Sequence, residues 1–84
     1  MQQLQTAKTF GPRFALARIA DYRSLQDEHR EALHEIDKGI RHFDPGPGGH
    51  MVETTDQVRQ SRLDAIASLE RWVKVWERDL VAAD

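Results

Sequence analysis

The 84-residue sequence contains no cysteine, so it forms neither disulfides nor thiolate metal sites. It has no run of about 18 apolar residues, which argues against a membrane-spanning helix. The N-terminus also lacks the basic and apolar blocks of a signal peptide. Lysine and arginine total 12 and aspartate and glutamate 14, so no overall charge attracts nucleic acid. A chain this short predicts one small domain with little room for an enzyme cleft.

Two segments have the apolar spacing of amphipathic helices, and we expect each helix to bury one side. The first spans about residues 12–38, and its stripe is Leu16 or Ile19, Tyr22, Leu25, His29, Leu33 and Ile36. The second spans about residues 55–82, and its stripe is Val58, Ala65, Ile66, Leu69, Val73, Trp76 and Leu80. Thr54 and Gln57 form a capping-box pattern at the start of the second helix.

The segment between the helices is rich in turn-forming residues. Four of the five glycines and two of the three prolines lie between Gly39 and Gly49, which excludes one uninterrupted helix. Residues 40–43 and 50–53 flank the turn cluster and are predicted to form a short β-hairpin. The predicted fold class is α-dominated α+β, with two antiparallel helices joined by a hairpin or a Pro/Gly-rich loop over residues 40–54. A plain helical hairpin is the alternative.

The chain divides into an N-terminal arm or fraying first turn, residues 1–11, and a single helix, hairpin and helix domain, residues 12–84. No catalytic motif is present in either part. The serines lack a nucleophile elbow, and no lysine follows the glycine cluster as it does in a phosphate-binding loop. Glu31 and His34 have the spacing of a metal-binding helix, but the second helix contains no histidine. We therefore expect no enzymatic activity, cofactor, metal or small-molecule substrate.

Aromatic, apolar and basic residues are the best candidates for a protein interface. Trp72 and Trp76 lie one helical turn apart, and one other helix cannot shield both. We expect Trp76 to join the core and Trp72 to anchor an interface. The arginines of the second helix alternate with carboxylates, so contact with nucleic acid would be at most incidental. The interface candidates are Trp72, Trp76, Arg41, His42, His50 and Met51.

The order of these signals resembles a known protein family. The first helix ends in Ala32-Leu33-His34-Glu35-Ile36-Asp37-Lys38-Gly39, and a turn-rich segment containing Gly49 follows it. Val52-Glu53-Thr54-Thr55 then opens the second helix, which contains Ile66-Ala67-Ser68-Leu69-Glu70. From Ala32 to Glu70 this order is similar to that of the gpW family, the head-completion or head-to-tail joining proteins of tailed bacteriophages.

The resemblance implies two antiparallel helices with a β-hairpin between them. It also implies a structural protein of the virion neck, assembled in the host cytoplasm as a ring of identical copies. Its partners would be further copies of itself, the portal, and tail or neck proteins. The hairpin and the second helix would make these contacts. The alternative function is a small helical-hairpin protein that binds and regulates a host protein.

Overall fold

The computed structural model of the chain describes the backbone of residues 6–83 and the side chains of residues 11–81. Two long helices, α1 (Thr6–Asp37) and α2 (Thr55–Ala83), pack against each other in antiparallel orientation. Between them, β1 (Phe43–Pro45) and β2 (Met51–Glu53) form a two-stranded antiparallel hairpin with a short 3-10 turn at Pro47–Gly49. The α-dominated α+β fold is confirmed, and the alternative of a plain helical hairpin is wrong.

Helix α1 begins before Pro12 and contains a kink at Gly11, where φ is 80° and ψ is 172°. Proline disfavours helical backbone at the residue before it, and glycine adopts a positive φ without steric cost. The long straight part of α1 therefore starts at Pro12, where the missing N–H group costs nothing. Of the predicted arm, residues 6–10 have helical backbone, and residues 1–5 lie outside the described part of the chain.

Strand β1 lies further along the chain than the sequence pattern predicts. It covers Phe43–Pro45, which shares only Phe43 with the predicted residues 40–43. Strand β2, at Met51–Glu53, lies inside its predicted range. The reason is that the backbone of His42 is already bonded to the start of α2. Its N–H donates to Thr55 Oγ1 over 3.0 Å, and its carbonyl accepts from the N–H of Thr54 over 2.8 Å.

The two helices form a single layer, because the described residues extend over only 55 × 28 × 14 Å. The fully buried hydrophobic residues are Ala15, Ile36 and Val73. Leu25, predicted in the buried stripe, is 42% exposed, and the adjacent Gln26 is fully buried in its place. The contact side of α1 follows alternating steps of four and three, as in a coiled coil. It consists of Ala15, Ile19, Tyr22, Gln26, His29, Leu33 and Ile36.

Candidate protein interface

A polar cluster centred on Gln26 lies within the contact between the helices. The Gln26 amide nitrogen donates to the Ile66 carbonyl over 3.2 Å and to Glu70 Oε1 over 3.0 Å. Arg23 Nη1 donates to Gln26 Oε1 over 2.9 Å and to Glu70 Oε1 over 2.6 Å. These bonds from Gln26, and then from Arg23, lower the pKa of the Glu70 carboxyl below its usual value.

The Gln26 cluster is structural, because its members bond to one another and leave no buried group open to a ligand. Within the described part of the chain, every buried side-chain nitrogen and oxygen has a hydrogen-bond partner. The apolar stripe does not include Gln26, because glutamine is polar and is rarely fully buried. A strict 3.5-residue repeat through Ile19, Tyr22 and His29 would have included Gln26.

A second polar pair joins His29 of α1 to Arg62 of α2. Arg62 Nη1 donates to His29 Nδ1 over 2.9 Å, which requires a neutral ring with its proton on Nε2. The pair borders an open cleft of about 420 Å³ between the hairpin and α2. On the hairpin side of this cleft, Thr54 Oγ1 donates to Asp44 Oδ2 over 2.7 Å. His29, a member of the predicted stripe of α1, is half-buried, and its ring bonds to Arg62 across the contact between the helices.

The described residues contain no group of three or more histidine, cysteine, aspartate or glutamate side chains positioned to hold a metal ion. Glu31 and His34, which have metal-ligand spacing in the sequence, are both exposed on α1. Neither described helix has an apolar segment of the length required to cross a bilayer.

The hairpin exposes apolar side chains that the rest of the fold leaves uncovered. Phe43 pairs with Glu53, Asp44 with Val52, and Pro45 with Met51. Because strand side chains alternate between faces, Phe43 and Met51 lie on the same face. Phe43 is 52% exposed and Met51 is 61% exposed. The hairpin therefore exposes an aromatic and a thioether side chain together on one face.

The predicted interface residues of this region occupy different environments. Met51 and His50 are exposed near the turn of the hairpin. Arg41 is exposed as well, and its Nε lies 3.8 Å from Glu53 Oε2. His42 is half-buried, and its backbone bonds connect the hairpin to the start of α2. The structure thus brings Arg41, His50 and Met51 to the surface, whereas His42 lies at the junction with α2.

The two tryptophans differ in environment although they are one turn apart on α2. Trp76 is half-buried, and its ring packs edge-to-face on Phe14 of α1 with 5.6 Å between ring centroids. Trp72 is 53% exposed at the side of the helix pair. Trp76 therefore stabilises the contact between the helices, whereas Trp72 leaves a large apolar surface exposed.

Comparison with known proteins finds no match to this chain among family models, curated proteins or solved structures. The surface described above, with its exposed Phe43, Met51 and Trp72, is therefore the main guide to function.

Proposed function

We propose that this chain is a virion assembly protein of a tailed bacteriophage, a head-completion or neck connector subunit without enzymatic activity. In this role it forms a ring with identical copies between the portal and the tail, in the neck region of the virion. The observation that carries the proposal is the large apolar surface left open by a fold of one layer.

The imbalance between buried and exposed apolar side chains is large. Among the side chains of residues 11–81, three hydrophobic ones are fully buried, whereas ten large hydrophobic ones are exposed. The described residues form a layer 14 Å thick, and none of them covers either of its two broad faces. The exposed residues are Phe14, Leu16, Leu25, Ile40, Phe43, Met51, Val52, Leu63, Trp72 and Val81. Apolar surface of this extent is typical of proteins that complete their burial against a partner.

The hairpin contributes two neighbouring residues, Phe43 and Met51, to this exposed apolar surface. Burying one phenylalanine or methionine side chain contributes about 1.5 to 3 kcal/mol. Because Phe43 and Met51 are each about half exposed, a partner that covers both gains roughly half of this from each, about 1.5 to 3 kcal/mol in all. The succession of helix, hairpin and helix is also the arrangement that the resemblance to the gpW family implies. The fold and the exposed surface both support an assembly role.

The test is reconstitution with the portal protein encoded in the same genome. Electron microscopy and mass measurement of the mixture are expected to show a ring of this chain on the portal. The variant Phe43→Ser/Met51→Ser is expected to abolish binding while both helices remain folded by circular dichroism. Leu16→Ser is the matched control, because Leu16 is equally exposed but lies on α1 away from the hairpin.

The proposal is wrong if the purified chain stays monomeric and does not bind the portal. It is also wrong if a purified enzyme of the host is its single stable partner, since that result favours the regulatory alternative.

A further inference from the structure

The two helices carry opposite charge on opposite edges of the layer. On α1, the side turned away from Gln26 and Ile36 carries four exposed carboxylates, Asp27, Glu28, Glu31 and Glu35. On α2, the side turned away from Val73 carries two exposed arginines, Arg71 and Arg78, along its C-terminal half. Because the helices lie side by side, these two surfaces point in opposite directions. We call them the acidic edge, Asp27 to Glu35, and the basic edge, Arg71 to Arg78.

Most of these charges form no ion pair with another residue whose side chain the structure describes. Among the described residues, Glu28, Glu31 and Glu35 take part in no ion pair, and neither do Arg71 and Arg78. The charges between the helices are paired internally. Arg23 Nη1, for example, lies 2.6 Å from Glu70 Oε1. The fold therefore neutralises the charges along its inner contact and leaves complementary charges on its outer edges.

The spacing of the charges also matches. Glu28 and Glu35 are seven residues apart, as are Arg71 and Arg78, and seven residues span about 10.5 Å of helix. When α1 of one copy lies antiparallel to α2 of the next copy, Glu28 faces Arg78 while Glu35 faces Arg71. Within one copy, the pair of Arg23 with Glu70 places Arg71 beside the part of α1 near Arg23, and not beside Glu35. Neighbouring copies joined in this register are therefore staggered along the helix axis.

Each edge also has a large exposed apolar residue close to its charges in the sequence. Leu25, three residues before Glu28, is 42% exposed, and Trp72, which follows Arg71 in the sequence, is 53% exposed.

We propose that the acidic edge of one copy binds the basic edge of the next copy, so that the chains assemble head to tail. The occupant of each edge is a second copy of this chain, because its opposite edge supplies the complementary charge at matching spacing. Such a heterologous contact builds a ring when its rotation closes. This inference rests on the proposed function, and it names the surfaces through which copies of the subunit meet.

Charge reversal of each edge tests this interface. Analytical ultracentrifugation at low ionic strength measures self-association of the full chain, and circular dichroism verifies that each variant is folded. Glu28→Lys/Glu35→Lys and Arg71→Glu/Arg78→Glu are each expected to weaken self-association by about tenfold or more, because like charges then meet. A mixture of the two variants is expected to associate again, since each reversed edge finds an edge of opposite charge.

Two controls separate the edges from net charge. The chain with all four changes keeps the formal charge of −2, because the two changes of each sign cancel. It is expected to associate with itself but not with the wild-type chain. Arg13→Glu/Lys38→Glu changes net charge as much as Arg71→Glu/Arg78→Glu, but Arg13 lies on α1 and Lys38 directly follows it, so the basic edge of α2 is unchanged. This variant is expected to associate like the wild type.

The result that overturns the inference differs from the one that overturns the proposed function. If the wild type associates and the edge variants associate equally well, or the mixture does not recover, the head-to-tail edges are wrong and the assembly role stands. A wild type that remains monomeric also overturns this interface. Binding to the portal then decides the proposed function separately.

Discussion

Substitutions at Gln26 separate two contributions of this residue to stability: the space that its side chain fills and the hydrogen bonds that its amide forms. Gln26 is fully buried, and its amide joins Arg23, Ile66 and Glu70. In Gln26→Leu, a side chain of similar volume fills the same space. The carboxylate of Glu70, which loses its bond from Gln26, still has partners: it remains paired with Arg23 and is accessible to water. We expect the free energy of unfolding to change by less than about 1 kcal/mol.

Gln26→Ala is the matched variant that also removes volume. It loses the same hydrogen bonds and leaves a cavity between the helices, so it is expected to cost about 2 to 4 kcal/mol. Urea unfolding followed by circular dichroism measures both values. If Gln26→Leu costs as much as Gln26→Ala, the polar contacts of Gln26 are essential and the packing argument is refuted.

The pH dependence of stability provides a second measurement on the same pair of variants. The pKa of Glu70 is lowered in the folded chain, first by the hydrogen bond from Gln26 and then by Arg23. This carboxylate therefore stabilises the fold above its pKa in the unfolded chain, and the contribution is lost as pH falls through the folded pKa. In Gln26→Leu, the pKa of Glu70 rises toward its usual value. Acid is then expected to destabilise this variant less than the wild type. An unchanged acid dependence would show that Gln26 is not the main cause.

Two further substitutions test the junction and the turn of the hairpin. Thr55→Ala leaves the His42 N–H without its acceptor and is expected to cost about 1 to 3 kcal/mol in urea unfolding, whereas Thr55→Ser retains most of the stability. A Cβ atom at Gly46 would overlap the Val52 side chain. Gly46→Ala is therefore expected to shift the backbone chemical shifts of β1 and β2, and Gly46→Ala/Val52→Ala to restore them. Wild-type shifts in Gly46→Ala alone would contradict this contact.

The sequence by itself determined the two helices, the break between them and the small core. Apolar spacing of three and four residues over more than twenty positions leaves little alternative to a helix. The glycines and prolines between Gly39 and Gly49 cannot continue one, because proline lacks an N–H group and glycine favours turns. These properties depend on residues close together in the chain, so local patterns are enough to predict them.

Only the tertiary structure decided which side chains meet across the helices. Leu25 and Gln26 are neighbours in the sequence, and their side chains point about 100° apart around the helix. Apolarity alone favours Leu25 for the contact. Bonds to Ile66 and Glu70, which lie forty and forty-four residues away, show that Gln26 occupies it instead. Likewise, the backbone of His42 is bonded to Thr54 and Thr55, which moves β1 along the chain.

The charged edges depend on the packing in the same way. The sequence shows carboxylates on one helix and alternating charges on the other, but not which of them remain unpaired. Arg23 pairs with Glu70 at the contact between the helices, whereas Arg71 and Arg78 lie on the opposite side of α2. The orientation of one helix against the other is set by contacts between distant residues. Local periodicity therefore places these charges on the outer sides of the helices, but it could not reveal which of them lack an internal partner.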